Sequence, residues 1–489
     1  MKKIENKAML ITYADTLGGD LKQLDRVMDT YFEGAFGGVH VLPFFPSSGD
    51  RGFAVIHYDT VDPRFGTWED IDRLGEKYYL MADFMLNHVS IRCEEFKDYM
   101  EKGDDSPYKD MFIHWEKFWP GGEPTEEQLN ALYRRKAGGP YLTFTRKDGK
   151  EVRLWNTFFA EQIDIDPYAE ATQEYYRRNL GRIASHVPLV RFDAFAYASK
   201  QPGTSCFFVE PKIWEVLEIG MEPLRKAGAE MLPEIHENYT IQLKMAEKGY
   251  WVYDFALPML LLHGLHFGRT DRLIHWLNIC PRKQFTTLDT HDGIGLVDVA
   301  GLLSEEEIDA TQELVDKLTA DVKPYIPFPT VVRIPGKPVQ RYQMMTTYYS
   351  ALGCDDKKYL LARAVQFFAP GIPQVYYVGL LAGENDIEGV KNDTDPRTVN
   401  RHSYTEQEIS QAAEKPVVQN ILRLLRLRNT CPAFDGDVTI APDKGDGTLS
   451  ITWTKGDCAA VLQADFGTGA FTVTRRDGDV VTECFRQED

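Results

Sequence analysis

The sequence predicts an α/β protein: a (β/α)8 TIM barrel carrying two inserted subdomains and a small C-terminal β domain. Three observations predict it. Eight short apolar runs alternate with amphipathic helical stretches; two of the intervals between runs are far longer than a connection needs; and the texture changes to short alternating strands after about Cys431.

The runs are Met9–Asp15, Gly38–Phe45, Tyr79–His88, Leu189–Tyr197, Ala229–His236, Tyr250–Leu257, Phe285–Asp292 and Ile372–Gly379, most of them rich in Val, Ile, Tyr or Phe and most closed by a polar residue. Near-continuous apolarity is what a strand buried on both faces requires. Between the first two, Leu21, Leu24, Val27, Met28, Tyr31 and Phe32 recur at three- and four-residue spacing, an amphipathic helix. Similar stretches are Trp68–Tyr78, Gln173–Ala184, Lys212–Ala227 and Lys357–Ala369. Strands in alternation with helices form a parallel barrel. Residues 89–188 and 293–371 are too long to be βα connections, so both hold insertions, and both leave from strand C-termini, the rim where barrel enzymes do chemistry. In the tail, Leu449–Trp453 and Phe471–Thr474 alternate, and Asp446-Gly447 and Asp477-Gly478 supply hairpin turns.

Composition narrows the function. The chain has 489 residues, net charge −19 and a pI near 5.1, which argues against a nucleic-acid partner. An apolar share of 43% with 26% charged residues describes a globular protein. No run of about 18 apolar residues predicts a membrane span, and the basic start Met1–Lys7 leads into too short an apolar run for a secretory signal. Seven scattered cysteines without a CxxC pair fit a reducing compartment, so a cytoplasmic enzyme is expected.

Polar residues at strand ends then become candidates: Asp50, Asn87 and His88, Arg191 and Asp193, Glu234 and His236, His291 and Asp292. Burying several carboxylates at a barrel end is costly unless they serve a purpose. Two carboxyl groups flanking a sugar bond is the arrangement of glycosyl transfer, retaining when one attacks the anomeric carbon. Period-two alternation puts Arg191 and Asp193 on one strand face, where the guanidinium favours an ionised nucleophile. Glu234, in Met231–Ile235, has an apolar setting that suits a proton donor. Metal is not expected: His236-Glu237 and His291-Asp292 lack the HxxxH or HxH spacing, and Asp443–Gly447 has Thr454 where a calcium loop wants Glu. Phosphate loops of the GxxxxGK[ST] kind are absent. Trp115 and Trp119 are expected in a core rather than as sugar platforms.

The stretches Asp83–His88 (DFMLNH), Val190–Tyr197 (VRFDAFAY), Leu232–His236 (LPEIH) and Leu288–Gly293 (LDTHDG) resemble the four ordered motifs of the α-amylase superfamily, of glycoside hydrolase family 13 type. Ile11–Asp15, Val39–Phe45, Gly203–Phe207, Tyr253–Leu257, Thr347–Gly353, Pro370–Leu381 and Asn400-Arg401-His402 resemble its sucrose phosphorylase branch, from near residue 6 to about 440. The resemblance implies a retaining hexosyltransferase making glucose 1-phosphate, with Asp193 as nucleophile, Glu234 as acid/base and Asp292 as transition-state stabiliser. Asp50, His88, Arg191, His236, His291 and Arg401 would hold the sugar, with Phe53, Phe158, Gln162 and Tyr197 lining the site. No cofactor is implied, phosphate being a substrate. The partners implied are a sugar and phosphate, and the resemblance offers the first insertion as the contact of a homodimer. It divides the chain into barrel segments 1–88, 168–293 and 354–432, a B subdomain 89–167, a B′ loop subdomain 294–353 and a C-terminal domain 433–489.

The acceptor side departs from the branch. Where sucrose-specific members carry an Asp that contacts fructose, this chain has Gln340, followed by a new cation, Arg341, while Tyr342 and Gln343 keep the sucrose pattern. Relatives acting on sucrose 6-phosphate tend to place His at the position of Tyr342. Tyr133, Arg135 and Lys136, with Arg134 between them, add cations in the first insertion. Arg recognises phosphate and carboxylate bidentately, so sucrose with a fructose leaving group stands beside an anionic alternative, fructose 6-phosphate or glycerate. A hydrolase or transglucosidase on the same scaffold is a further alternative.

Overall fold

The computed structural model describes residues 2–136, 138–326, 330–332 and 340–488, with 330–332, 340 and 341 described in backbone only. Its central element is an eight-stranded, nearly closed parallel barrel sheet built from β1 (Met9–Thr12), β2 (Gly38–Val41), β3 (Tyr79–Met85), β4 (Leu189–Asp193), β5 (Glu230–Pro233), β6 (Val252–Asp254), β7 (Gln284–Thr286) and β8 (Ile372–Tyr376). The sheet order is β6-β7-β8-β1-β2-β3-β4-β5, so chain order is kept around it. Every residue of these strands is buried except Asp193 and Glu230. Helices Leu21–Tyr31, Trp68–Lys77, Glu170–His186, Lys212–Ala227 and Asp356–Phe368 lie within a few residues of the amphipathic stretches expected.

The strands are shorter than the apolar runs that announce them, because the last residues of each run leave the ladder. Tyr79–His88 reads as one strand, yet β3 stops at Met85 and His88 opens a separate strand, His88–Ser90, paired antiparallel with Gln162–Asp164. The break falls at Asn87, whose side-chain amide is drawn to Asp164 (3.0 Å) and Lys200 (2.7 Å).

The chain divides into two compact units. One is built on Val41–Ile235 and holds β3, β4 and β5. Parallel register pairs Asp83 with Arg191, Met85 with Asp193, and Arg191 with Leu232. The first insertion contributes a hairpin, Tyr141–Thr145 with Glu151–Trp155. Its Ile113, Trp115, Trp119, Leu132 and Trp155 cluster with Cys206 from beyond β4, which makes Trp115 and Trp119 core as expected. Beneath it lies a buried ion pair, Lys200 Nζ to Asp164 Oδ2 at 2.7 Å. The ammonium also donates to the Tyr197 carbonyl (2.6 Å). Burial opposes the ionised form of Asp164, but Lys200 and the Thr157 donors hold its pKa below the usual carboxylate value.

The other unit comprises Ile4–His40, His236–Thr330 and Tyr342–Asp489, and holds β1, β6, β7 and β8. Here β7 pairs with both β6 and β8, and β8 with β1. After β7, Ile294–Gly295 pairs antiparallel with Gln343–Met344 of the strand Gln340–Met344. The tail is a five-stranded antiparallel meander, Asp437–Ile440, Thr448–Lys455, Cys458–Asp465, Phe471–Asp477 and Val480–Gln487. Asp443–Gly447 is the turn before its second strand, closed by Asp446 accepting from the Thr448 amide and hydroxyl.

Removing Lys200 would strand a buried carboxylate. Lys200→Met should therefore lose about 3–5 kcal/mol of stability in urea unfolding, and Asp164→Asn in the same chain should restore part of it. Because the folded pKa of Asp164 is depressed, the deficit should be full above about pH 4 and shrink as pH falls through the folded value.

Candidate active site

The residues singled out in the sequence divide between the two units. In the first, Arg191 is the centre. Its Nη1 lies 2.5 Å from Asp83 Oδ1 and 3.0 Å from Asp193 Oδ1, and its Nη2 lies 3.6 Å from Glu234 Oε2. The register explains the convergence: Asp83 stands directly across from Arg191, and Asp193 follows two residues later on the same face. Glu234 is one residue beyond β5, its amide bonded to the Phe192 carbonyl at 3.1 Å. Asp83 is wholly buried, while Asp193 and Glu234 are 19% and 10% exposed. The apolar setting expected for Glu234 is thus only half of its surroundings. The Arg191 guanidinium, 3.6 Å from its carboxylate, is the other half.

Just after Asp193 the chain leaves the strand abruptly. Ala194 adopts φ 54°, ψ 20°, a left-handed conformation that non-glycine residues adopt only where the surroundings hold them in it. The turn carries Tyr197 into an aromatic set, 5.0 Å from Phe158 and 4.8 Å from Phe207 between ring centres. Phe158 packs edge-on against His88 at 5.4 Å. Burial pushes the pKa of His88 down, which favours a neutral ring. Its Nε2 donates to the Phe53 carbonyl (3.2 Å), leaving Nδ1 as an acceptor with no hydrogen-bond partner among the described residues. The Phe53 ring in turn lies 5.9 Å from the Arg191 guanidinium. Gln162 donates to Asp50 at 3.0 Å. Asp50 and Arg51 both have φ 51°, a second left-handed turn beside candidate residues.

Tyr133 stacks on Phe207 at 4.0 Å and lines a small cavity with Arg135, Lys136, Tyr197 and Lys200. The Lys136 ammonium, half-buried, donates to the Asn156 amide oxygen; burial lowers its pKa and Asp164 works against that shift.

In the second unit the centre is Asp292. Arg397 Nη1 and Arg401 Nη2 each lie 3.7 Å from its Oδ1, and His291 Nε2 lies 3.6 Å from its Oδ2. Burial would raise the pKa of this carboxyl, yet His291, Arg397, Arg401 and His236 together hold it far below the usual value. The loop bearing it is fixed through its carbonyls: Asn400 donates to Asp292 O (2.8 Å) and Thr290 O (3.3 Å), and Arg401 Nε to His291 O (2.8 Å). Tyr13 stands edge-on to His291. Tyr342 and Gln343 are buried. The side chains of Gln340 and Arg341 lie outside the described residues.

Three participants escaped the sequence. Asp83 sits inside a quoted motif but has no visible partner until the register is known. Arg397 and Asp395, paired through bonds of 2.8 and 2.9 Å, lie on the 3-10 turn Pro396–Asn400 and at its cap, where no periodicity marks them.

Comparison with known proteins shows the family. Residues 12–203 match the model of the alpha-amylase catalytic domain. The chain is 48% identical over 484 residues to the sucrose phosphorylase of Streptococcus mutans, covering 98% of this chain and 100% of that one. It is 42% identical to the sucrose 6(F)-phosphate phosphorylase of Thermoanaerobacterium thermosaccharolyticum, covering 96% and 97%. The crystal structure of sucrose 6F-phosphate phosphorylase from Thermoanaerobacter thermosaccharolyticum superposes with a TM-score of 0.92 at 41% identity, over 99% of both chains. With relatives this similar over almost the whole length, the chain belongs to the family of sucrose phosphorylases and related glucoside phosphorylases, glycosyltransferases on the α-amylase barrel.

Proposed function

We propose that the chain is a retaining glucoside phosphorylase that converts sucrose and phosphate to α-D-glucose 1-phosphate and fructose. The observation that carries the reading is the Arg191 cluster, one guanidinium 3.0 Å from Asp193 and 3.6 Å from Glu234. The likeness to the S. mutans sucrose phosphorylase supports the choice of sucrose.

In this reading the Asp193 carboxylate attacks the anomeric carbon while Glu234 gives its proton to the departing glycosidic oxygen, so that fructose leaves and a glucosyl ester forms on Asp193. Glu234, now ionised, takes a proton from the incoming phosphate, whose oxygen displaces Asp193. Two inversions give net retention. Asp292, held ionised by its cations, stabilises the oxocarbenium charge of both transition states. Asp50, His88, His291 and Arg401 hold glucose hydroxyls, with Phe53, Phe158, Gln162 and Tyr197 walling the ring. Phosphate is a substrate, and the scheme calls for no cofactor. Seven free thiols support a cytoplasmic setting.

A second reading keeps the mechanism and changes the leaving group to fructose 6-phosphate. It is favoured by the T. thermosaccharolyticum relative and by Arg135 and Lys136 beside Tyr133.

Asp193→Asn should lower glucosyl transfer by at least about 10³-fold, because no covalent intermediate forms; residual activity near wild type would remove its role. Glu234→Gln should cost about 10²–10⁴-fold with sucrose and far less with α-D-glucosyl fluoride, whose leaving group needs no proton. Equal losses with both donors would mean that Glu234 is not the acid. Synthesis from glucose 1-phosphate with fructose, fructose 6-phosphate and glycerate as acceptors should favour fructose, and preference for a phosphorylated acceptor selects the second reading. Sucrose cleavage that proceeds equally well without phosphate would make the enzyme a hydrolase.

A further inference from the structure

We infer that Asp298 is a positioning residue for the leaving-group side of the reaction and acts through His236, an inference that rests on the phosphorylase reading. Asp298 lies on the single turn Val297–Val299, outside every sequence motif, and is 1% exposed. Its Oδ2 is 3.2 Å from His236 Nδ1, and no lysine or arginine pairs with it among the described residues. A carboxylate buried without a full cation is costly. The fold also reserves space for it: a Cβ added at Gly295 would fall 1.9 Å from Asp298 Oδ2, so only glycine admits the carboxylate at this point.

The imidazole is held on its face, at one edge and at Nδ1. Its face lies on Phe255, ring centres 3.9 Å apart and planes 14° apart. Tyr342 meets it edge-on at 6.0 Å and donates its hydroxyl to the His236 carbonyl at 3.4 Å. Stacking sets the ring plane, and Asp298 sets the rotation within that plane. A carboxylate accepting from Nδ1–H also selects the tautomer and strengthens Nε2 as a base and, once protonated, as a donor.

The surroundings say which part of the substrate this serves. Gly295 pairs with Gln343, so Asp298 is three residues from the strand contact with the stretch Tyr342-Gln343, singled out in the sequence as the acceptor side. His236 also brings a ring nitrogen within 4.8 Å of an Asp292 carboxylate oxygen. His236 is therefore assigned to the leaving group rather than to the glucose-holding set, and Asp298 is what orients it.

The test is a double-mutant cycle on the full-length enzyme with Asp298→Asn, which keeps shape, and His236→Gln. In synthesis from glucose 1-phosphate, Asp298→Asn should raise KM for fructose about tenfold while kcat changes less than threefold. For phosphorolysis, its loss in kcat/KM should be at least tenfold smaller with α-D-glucosyl fluoride, which has no sugar leaving group, than with sucrose. In the His236→Gln background it should add little, because residues acting as one unit are not additive. Additive losses, or equal losses with both donors, would overturn the inference. Should Asp298→Asn fail to fold, Gly295→Ala, which displaces the carboxylate without removing it, should show the same KM defect; a normal KM there also overturns it. Wild-type protein that forms no glucose 1-phosphate from either donor brings down the phosphorylase reading itself, before any variant is compared.

Discussion

One guanidinium surrounded by three carboxylates constrains the rest of this protein. Arg191 has direct bonds to Asp83 and Asp193 and a longer approach to Glu234. The guanidinium reaches the three unequally, bonding Asp83 and Asp193 and standing off from Glu234 at 3.6 Å. In the proposed reaction the bonded Asp193 is the nucleophile and the more distant Glu234 the acid. Asp83 fixes the arrangement from below: wholly buried and directly across the ladder, it locks the guanidinium so that the other two contacts differ in length.

The same device recurs wherever a functional loop leaves the barrel. Lys200 joins Asn87 at the end of β3, Asp164 in the first insertion and the carbonyl of Tyr197. Arg363, wholly buried, holds Asp289 at 2.8 Å, three residues before Asp292. Asn400 and Arg401 bond the carbonyls of residues 290–292. Irregular backbone buried near a barrel rim has no ladder to satisfy it, so side chains must. These loops are consequently positioned without being regular, which is how segments lacking secondary structure hold reacting groups in place.

This also explains what the sequence made legible. The eight strands could be read because burial on both faces forces continuous apolarity, and helix Lys212–Ala227 has the bounds its periodicity expects. Strand ends could not be read: His88 looks like the close of one strand and is the start of another. Asp193 and Arg191 were visible as one face of a strand, but their neighbour Asp83 needed the β3–β4 register. Arg397 and Asp298 carry no signal at all, the first in a loop of mixed polarity and the second inside the apolar-looking stretch Leu296–Val299. Their meaning comes wholly from tertiary contact.

The two carboxylates that bear charge in the proposed reaction are stabilised in different ways, and the difference suits their tasks. Asp193 receives a hydrogen bond, which fixes the direction of the oxygen it involves and orients the group for attack. Asp292 is reached by two guanidiniums only at 3.7 Å, beyond hydrogen-bond length. Those cations act on it as a field rather than as bonds. A field lowers the carboxyl's affinity for protons without engaging its lone pairs, so the oxygens stay able to meet a charge that appears only in the transition state. Arg397 is kept at that distance by its two-bond grip on Asp395, and Arg401 by its bond to the His291 carbonyl. If either arginine were released to close on Asp292, the carboxylate would bind its own protein instead of the oxocarbenium ion of the proposed reaction. In that reaction the anchoring of the two arginines matters as much as the presence of Asp292.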